Sequence, residues 1–365
     1  MEFTSLRFDR KVDANFYRTL RSRVNAYFTE NNIARTANAA MVFKTVFFIA
    51  LYFTPYVAMM LGWVTNPYAF IGLWLLMGLG AGGIGFSIMH DANHGAYSTN
   101  KYVNMALGNL MNILGANSSI WKLQHNVLHH SFTNIDGADE DINAPSFLRF
   151  SPHQKLRPIH RYQHIYAWFL YGFMILLKVL YTDFTQAFHY RSIKLVKTRK
   201  EFVELLMKIS FWKVVYFTTF LVLPIIVMPV SAWMIVLGFF LMHYVVGMVM
   251  AVIFQSAHVM PETQFPAPPL SGKVDNNWAV HQLMTTTNFA PNNKILSWYI
   301  GGLNFQVEHH LFPSICHVHY KDISKIVRAT AEEYGVPYNT IGRFRETVAE
   351  HARMLYMLGN RESLA

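Results

Sequence analysis

The sequence predicts an all-α integral membrane protein, with four transmembrane helices in two hairpins and a cytoplasmic helical cap. Three observations predict it. The chain is 53% hydrophobic and only 14% charged, whereas a soluble globular chain carries about 25% charged residues. Four apolar runs reach the length of about 20 residues that crosses a hydrocarbon core. Basic residues gather between the pairs of runs and are missing from the turns inside them.

The first run covers 40–63, with Lys44 near its start, and the second covers 67–89, so only Val64, Thr65 and Asn66 separate them. The third covers 209–228 and the fourth 231–257, with Pro229 and Val230 between. Neither turn holds Lys or Arg. By contrast, Arg7, Arg10, Lys11, Arg18, Arg21, Arg23 and Arg35 precede the first run. Arg191, Lys194, Lys197, Arg199 and Lys200 precede the third. The positive-inside rule then puts both termini and the central segment in the cytoplasm. Residues 1–39 become a cytoplasmic N-terminal segment, and 90–208 and 258–365 form the cap of a single domain, 1–365. The net charge of +10 follows from this topology and from anionic lipid; no nucleic-acid partner is expected.

Two more apolar stretches are not read as spans. Residues 103–120 contain Asn104, Asn109, Asn112 and Asn117, too polar for hydrocarbon, and suit an interfacial or re-entrant helix. Residues 165–181 are aromatic and flanked by His160, Arg161 and His164, as in an amphipathic helix lying on the membrane. A crossing by either would reverse the parity. No linker, internal repeat or early apolar signal segment is evident. The single Cys316 excludes an intrachain disulfide. No Rossmann or P-loop signature calls for a nucleotide cofactor.

Chemistry is carried by three histidine clusters: His90-Asp91-Ala92-Asn93-His94, His125-Asn126-Val127-Leu128-His129-His130 and Gln306-Val307-Glu308-His309-His310. Positions i and i+4 share a helix face. His90 and His94 can therefore grip one metal, as can His125 and His129, with His130 a quarter turn away toward a second. Gln306 and His310 share a face, with His309 alongside. A catalytic zinc takes about three protein ligands, and these clusters offer seven histidines, enough for two metals. Imidazole suits several metals, so residue type does not choose among them. The predicted topology brings all three clusters to the cytoplasmic side. Asp91, Asp139, Asp141 and Glu308 are placed to accept the other ring N–H of metal-bound histidines. Paired inward Glu-x-x-His motifs of the soluble di-iron bundles are missing, so the site is histidine-rich.

These boxes resemble those of the integral-membrane fatty acid desaturases. The likeness extends through Met89 to Gly95, from His130 through Thr133 and Asn134 to Asp139-Glu140-Asp141, and from Gly301 to Pro313. It covers about 40 to about 340. Glutamine at the head of the third box is similar to the front-end subfamily, which inserts a double bond between an existing one and the carboxyl end. The resemblance implies two iron ions (Fe2+/Fe3+), with O2 as co-substrate, that convert an acyl CH2–CH2 into a cis double bond and water. It adds His258 as a ligand at the end of the fourth span, Gln306 as a ninth candidate, and Asn304 as a water-mediated contact. His281, His317 and His319 are lesser candidates, and His243, inside the fourth run, reads as a hydrogen-bonded neutral imidazole.

The substrate implied is a long-chain fatty acyl-CoA or acyl lipid, its tail in an apolar tunnel. Arg157, Arg161, Arg191 and Lys194 are offered for its head group. Front-end enzymes commonly carry a fused cytochrome b5 domain with a His-Pro-Gly-Gly motif. No such motif occurs here, so a separate donor is expected, a ferredoxin or a cytochrome b5-like protein. A fatty-acid or carotenoid hydroxylase with similar boxes is the alternative. A membrane zinc hydrolase would leave most of the ligands unexplained, and a metal carrier would need them strung across the bilayer.

Overall fold

Among the described residues of the computed structural model, four helices are long and apolar enough to cross a membrane: Ala39–Met60, Pro67–Asn93, Arg199–Val227 and Ala232–His258. The structure describes residues 6–9, 12–143, 145–269 and 271–360; Arg10 and Lys11 of the basic N-terminal segment lie outside the described residues. The third helix starts well before the apolar run. Thr198 and Glu201 cap each other there, the Thr198 hydroxyl accepting from the Glu201 N–H at 3.1 Å and the Glu201 carboxylate from the Thr198 N–H at 3.3 Å, a reciprocal pairing that satisfies two orphan donors. Asn66 opens the second helix by accepting from the N–H groups of Tyr68 and Ala69. That helix continues past its apolar run to Asn93 and so carries the first histidine box.

The chain divides into two compact units. One comprises Asn38–Trp121 and Phe169–Ala251, and the other Met1–Ala37, Lys122–Trp168 and Val252–Ala365. In the first, the opening hairpin packs by close backbone approach. A Cβ at Gly80 would stand 2.9 Å from the Tyr52 nitrogen, and one at Gly83 would run into the Phe48 ring. Small residues allow such contact where hydrocarbon offers no hydrophobic driving force. The 103–120 stretch breaks into Lys101–Gly108, Leu110–Ile113 and Ser118–Trp121, none long enough to span. The 165–181 stretch belongs to a helical path from Pro158 to Ser192 that turns by 64° between Tyr171 and Phe173.

One buried charge cluster organises this unit. The fully buried Asp183 carboxylate meets the Lys213 ammonium at 2.8 Å and the Lys178 ammonium at 3.1 Å, and accepts from the Asn117 N–H at 3.0 Å. Lys213 also donates to the carbonyls of Gly115 and Lys178, at 2.7 and 2.8 Å. His243 is hydrogen-bonded at both ring nitrogens, to the Phe239 carbonyl at 2.7 Å and the Tyr216 hydroxyl at 2.8 Å.

The second unit packs the helix Ala14–Glu30 through Phe16, Leu20, Val24 and Phe28, a four-residue apolar spacing that makes one stripe. The same core takes in Val307 and Leu311 of the third box helix and Ile323 and Val327 of Tyr320–Tyr334. The all-helical expectation omitted two short parallel pairings, Arg7–Phe8 with Lys273–Val274 and Thr287–Phe289 with Asn339–Ile341. His351 is fully buried, bonded to the Val259 carbonyl at 2.9 Å. Burial pushes its imidazole down to about 4.

Candidate metal centre

The first box belongs to the unit of the opening hairpin. The second span widens to a π-helix over Ile84–Met89 immediately before His90–Asn93. The His90 and His94 rings stand 4.8 Å apart, each 5.6 Å from the Trp121 ring. Asp91 lies with a carboxylate oxygen 3.8 Å from His90 Nδ1.

The other boxes and His258 belong to the second unit. The second box departs from the α geometry assumed for it. Lys122–His129 is π-helical, followed by the α-turn His130–Phe132. Bonds from i to i+5 widen the turn by about one residue, so His125 lies over both His129 and His130. The ring centroids are 5.2 Å apart for the first pair and 4.7 Å for the second. His130 is therefore not turned away from His125: their Nε2 atoms are 3.2 Å apart, and His130 Nε2 lies 3.0 Å from His309 Nε2. Two nitrogens bound to one cation at about 2.0–2.1 Å stand about 2.9–3.4 Å apart, for angles from right-angled to tetrahedral. A second group, His129, His258 and His310, places one ring nitrogen from each within 4.8 Å of the others.

Neighbouring groups select the tautomers. His129 Nδ1 donates to both oxygens of Asp139, at 3.0 and 3.1 Å. Asp139 is itself fixed by the N–H groups of Asn134 and Asp141. His310 Nδ1 donates to Gln282 Oε1 at 2.8 Å, and Gln282 is oriented by its own Nε2 bond to the His130 carbonyl. His258 Nδ1 faces the Thr285 carbonyl at 3.4 Å. In each case the bond engages Nδ1, so Nε2 is the nitrogen that remains for a metal. Burial alone would depress the His129 imidazole. The charges of Asp139 and Asp141 and the Asp139 hydrogen bond outweigh it, holding the group up at about 9. The site thus favours a positive charge at His129, which a metal cation on Nε2 supplies.

Two further observations test the fit of a metal. His258 Nε2 is buried without a hydrogen-bond partner, and so are both Nε2 and Oε1 of Gln306. Leaving a buried amide unpaired costs about 1–3 kcal/mol, so these atoms suit a cation or its bound water. The residues present fit a histidine-rich metal centre.

The helix Trp278–Met284 supports this group in a way the sequence reading missed. Trp278 Nε1 donates to the His130 carbonyl at 3.0 Å, His281 Nε2 to the Thr133 carbonyl at 2.9 Å, and Gln282 reaches His310. His281 is thereby occupied as a donor, and burial pushes its imidazole down to about 4. His319 faces the Thr36 carbonyl at 3.4 Å. Nothing in the sequence distinguished Gln282 from any other helical glutamine. Asp141 accepts from Gln124 at 2.8 Å and comes within 3.5 Å of His129 Nδ1 and 3.7 Å of His125 Nδ1. Glu308 turns elsewhere, accepting from Asn288 at 2.8 Å and Tyr338 at 2.9 Å; burial pushes it up to about 7. Asn288 also accepts from the Val307 N–H, so this pair anchors the third box helix. Asn304 donates to the Ala290 carbonyl and keeps its Oδ1 buried without a partner. Gly301 and Gly302, just before this box, have φ of 61° and 66°, where side chains are strained.

Of the basic residues offered for a head group, Arg157, Arg161 and Lys194 are exposed. Arg191 donates instead to the carbonyls of Val196 and Lys197.

Comparison with known proteins matches this arrangement to a family. A family model described as "Fatty acid desaturase" matches residues 65–342. An sn-1 linoleoyl-lipid 6-desaturase of Arthrospira platensis is 37% identical over 340 residues, 88% of this chain and 87% of the relative. A protein of the same name from Synechocystis sp. is 34% identical over 94% of this chain and 95% of its own length. An acyl-lipid (8-3)-desaturase of Physcomitrium patens is 36% identical over 94% of this chain and 72% of its own. With four membrane-length helices and its histidine clusters, the chain belongs to the fatty acid desaturase family, whose members are oxidoreductases.

Proposed function

We propose that this chain is an O2-dependent di-iron desaturase of acyl lipids, placing a cis double bond on the carboxyl side of an existing one. The observation that carries the front-end reading is the near-full-length likeness to two relatives named linoleoyl-lipid 6-desaturases, beside Gln306 at the head of the third box. Their names favour a glycerolipid-bound linoleoyl chain over an acyl-CoA.

His90, His94, His125, His129, His130, His258, His309 and His310, with Gln306, are proposed as the ligand set, drawn from the boxes and the family resemblance. Two iron ions held there supply O2 activation and hydrogen abstraction. The protein residues do the rest. Asp139, Gln282 and the Thr285 carbonyl hold imidazoles in one tautomer, and Asp141 adds negative charge beside His125 and His129. Gln306 binds a cation directly or through water. Arg157, Arg161 and Lys194 are proposed for the phosphate-bearing head group. The termini and the site are assigned to the cytoplasmic side, on the positive-inside pattern.

Two measurements test this reading. Protein purified with minimal metal exchange should contain two iron atoms per chain. One zinc, with no iron-dependent activity, would end the di-iron assignment, whereas two zinc ions in an inactive preparation reflect mis-loading along the affinity series. In a host fed linoleate or stearate separately, linoleate should gain a double bond nearer its carboxyl end, first in the glycerolipid pool. A mid-chain double bond in stearate with linoleate untouched removes the front-end reading. A hydroxylated product replaces desaturation with the hydroxylase alternative.

A further inference from the structure

We propose that a recess beside the N-terminal helix docks an acidic one-electron carrier protein, and that Tyr17 and Trp278 conduct its electron to the second histidine box. This rests on the desaturase reading. The reaction turns –CH2–CH2– and O2 into –CH=CH– and two waters, consuming two protons and two external electrons. Those electrons come from two molecules of reduced carrier, each oxidised by one electron.

The recess, about 450 Å³ in volume, is lined by Tyr17, Arg18, Arg21, Asn25 and Asn277. All belong to the second unit. Helix Ala14–Glu30 has no acidic residue until its last position. Arg23 is neutralised by Glu333 at 2.7 Å. Arg18 and Arg21, both exposed, have no carboxylate within 4.0 Å among the described residues; Arg18 bonds only the neutral Asn15 amide. Phe16, Leu20 and Val24 anchor the opposite face of the helix, so the two cations are presented on a fixed support. Such a surface complements an acidic protein and steers its approach.

Two contacts link the wall of this recess to the second box. Tyr17, on its wall, packs edge-on against Trp278 with ring centroids 5.6 Å apart. The Trp278 indole N–H donates to the His130 carbonyl at 3.0 Å. The His130 ring lies 3.0 Å, nitrogen to nitrogen, from His309 and 3.2 Å from His125. A lipid phosphate would need the arginines but not this aromatic path, and the path favours a redox protein as occupant.

The test uses the full chain in phosphatidylcholine nanodiscs and a plant-type [2Fe–2S] ferredoxin as probe. Direct binding of the oxidised ferredoxin should weaken with salt. The double variant Arg18→Glu/Arg21→Glu should bind at least about tenfold more weakly at low salt and lose that salt dependence. Trp278→Phe should bind as the parent does and lose a larger share of its ferredoxin-driven rate than of its dithionite-driven rate, which reports any disturbance of His130 by loss of the indole N–H. Unaltered affinity in the double variant overturns the docking site. A loss seen only after phosphatidylglycerol is added to the nanodiscs assigns the recess to lipid phosphate and also overturns it. Equal slowing of both turnovers in Trp278→Phe overturns the route. Absence of dithionite-driven desaturation in the parent protein counts against the desaturase reading instead, and the binding arm still decides the docking site.

Discussion

Replacing His129 or His258 with alanine should lower turnover to background and strip metal from the purified protein, while leaving a folded, membrane-inserted chain. Each ring is held on one side, His129 by Asp139 and His258 by the Thr285 carbonyl, so that its other nitrogen faces the cluster. Truncation removes a proposed ligand. His94→Ala and His310→Ala should behave alike. Asp139→Asn keeps the shape but not the charge, and should cost about 10–100-fold in metal affinity or activity. His153 is the proper control: it is exposed, and its ring bonds the Phe265 carbonyl at 2.7 Å, away from the boxes. His351, equally remote in sequence from the boxes, is unsuitable, because alanine there leaves the Val259 carbonyl unpaired inside the core. Iron content by plasma emission, set beside product yield, decides the matter. Full metal loading and activity in His129→Ala, or equal loss in His153→Ala, would remove the ligand assignment.

Asp183→Ala should be the most damaging change in the unit that holds the opening hairpin. The carboxylate is the shared counter-charge of Lys178 and Lys213 and also accepts from the Asn117 backbone. Removing one partner of a buried ion pair costs about 3–5 kcal/mol, because the remaining charge stays buried. Two lysines are left here, and Lys213 is only 7% exposed. The double change Asp183→Leu/Lys213→Met removes both members of the tighter pair and should recover part of the loss. The thermal aggregation midpoint in detergent reports the effect. A midpoint unchanged in Asp183→Ala would show the cluster to be without structural consequence.

The membrane-length helices were legible because crossing hydrocarbon demands about 20 apolar residues whatever the fold. The boxes were legible because clustered histidines are uncommon in apolar sequence. Helix ends were less so: the third span starts at Arg199 because Thr198 and Glu201 cap it, beyond the reach of hydropathy. The groups that orient the proposed ligands were mostly hidden. Asp139 stood near a box and drew notice, but Gln282 and Thr285 come from a distant segment and are ordinary polar residues until folding sets them beside His310 and His258. Glu308 shows the converse, since it sits inside a box and yet serves Asn288 and Tyr338. Asp183, Lys178 and Lys213 were invisible as a cluster, being separated in sequence and each unremarkable alone.

The π-helical second box changes what histidine spacing means. In an α-helix, successive residues turn by about 100°, so a residue five positions on points well away from the first. In Lys122–His129 the wider turn lets His125 approach the residues four and five positions on alike. Box spacing is then a gauge of local helical pitch as much as of the distance between metals. Boxes one residue shorter can present the same imidazoles by relaxing to α pitch, and a substitution that tightens this turn would separate His130 from His125 without altering a single ligand.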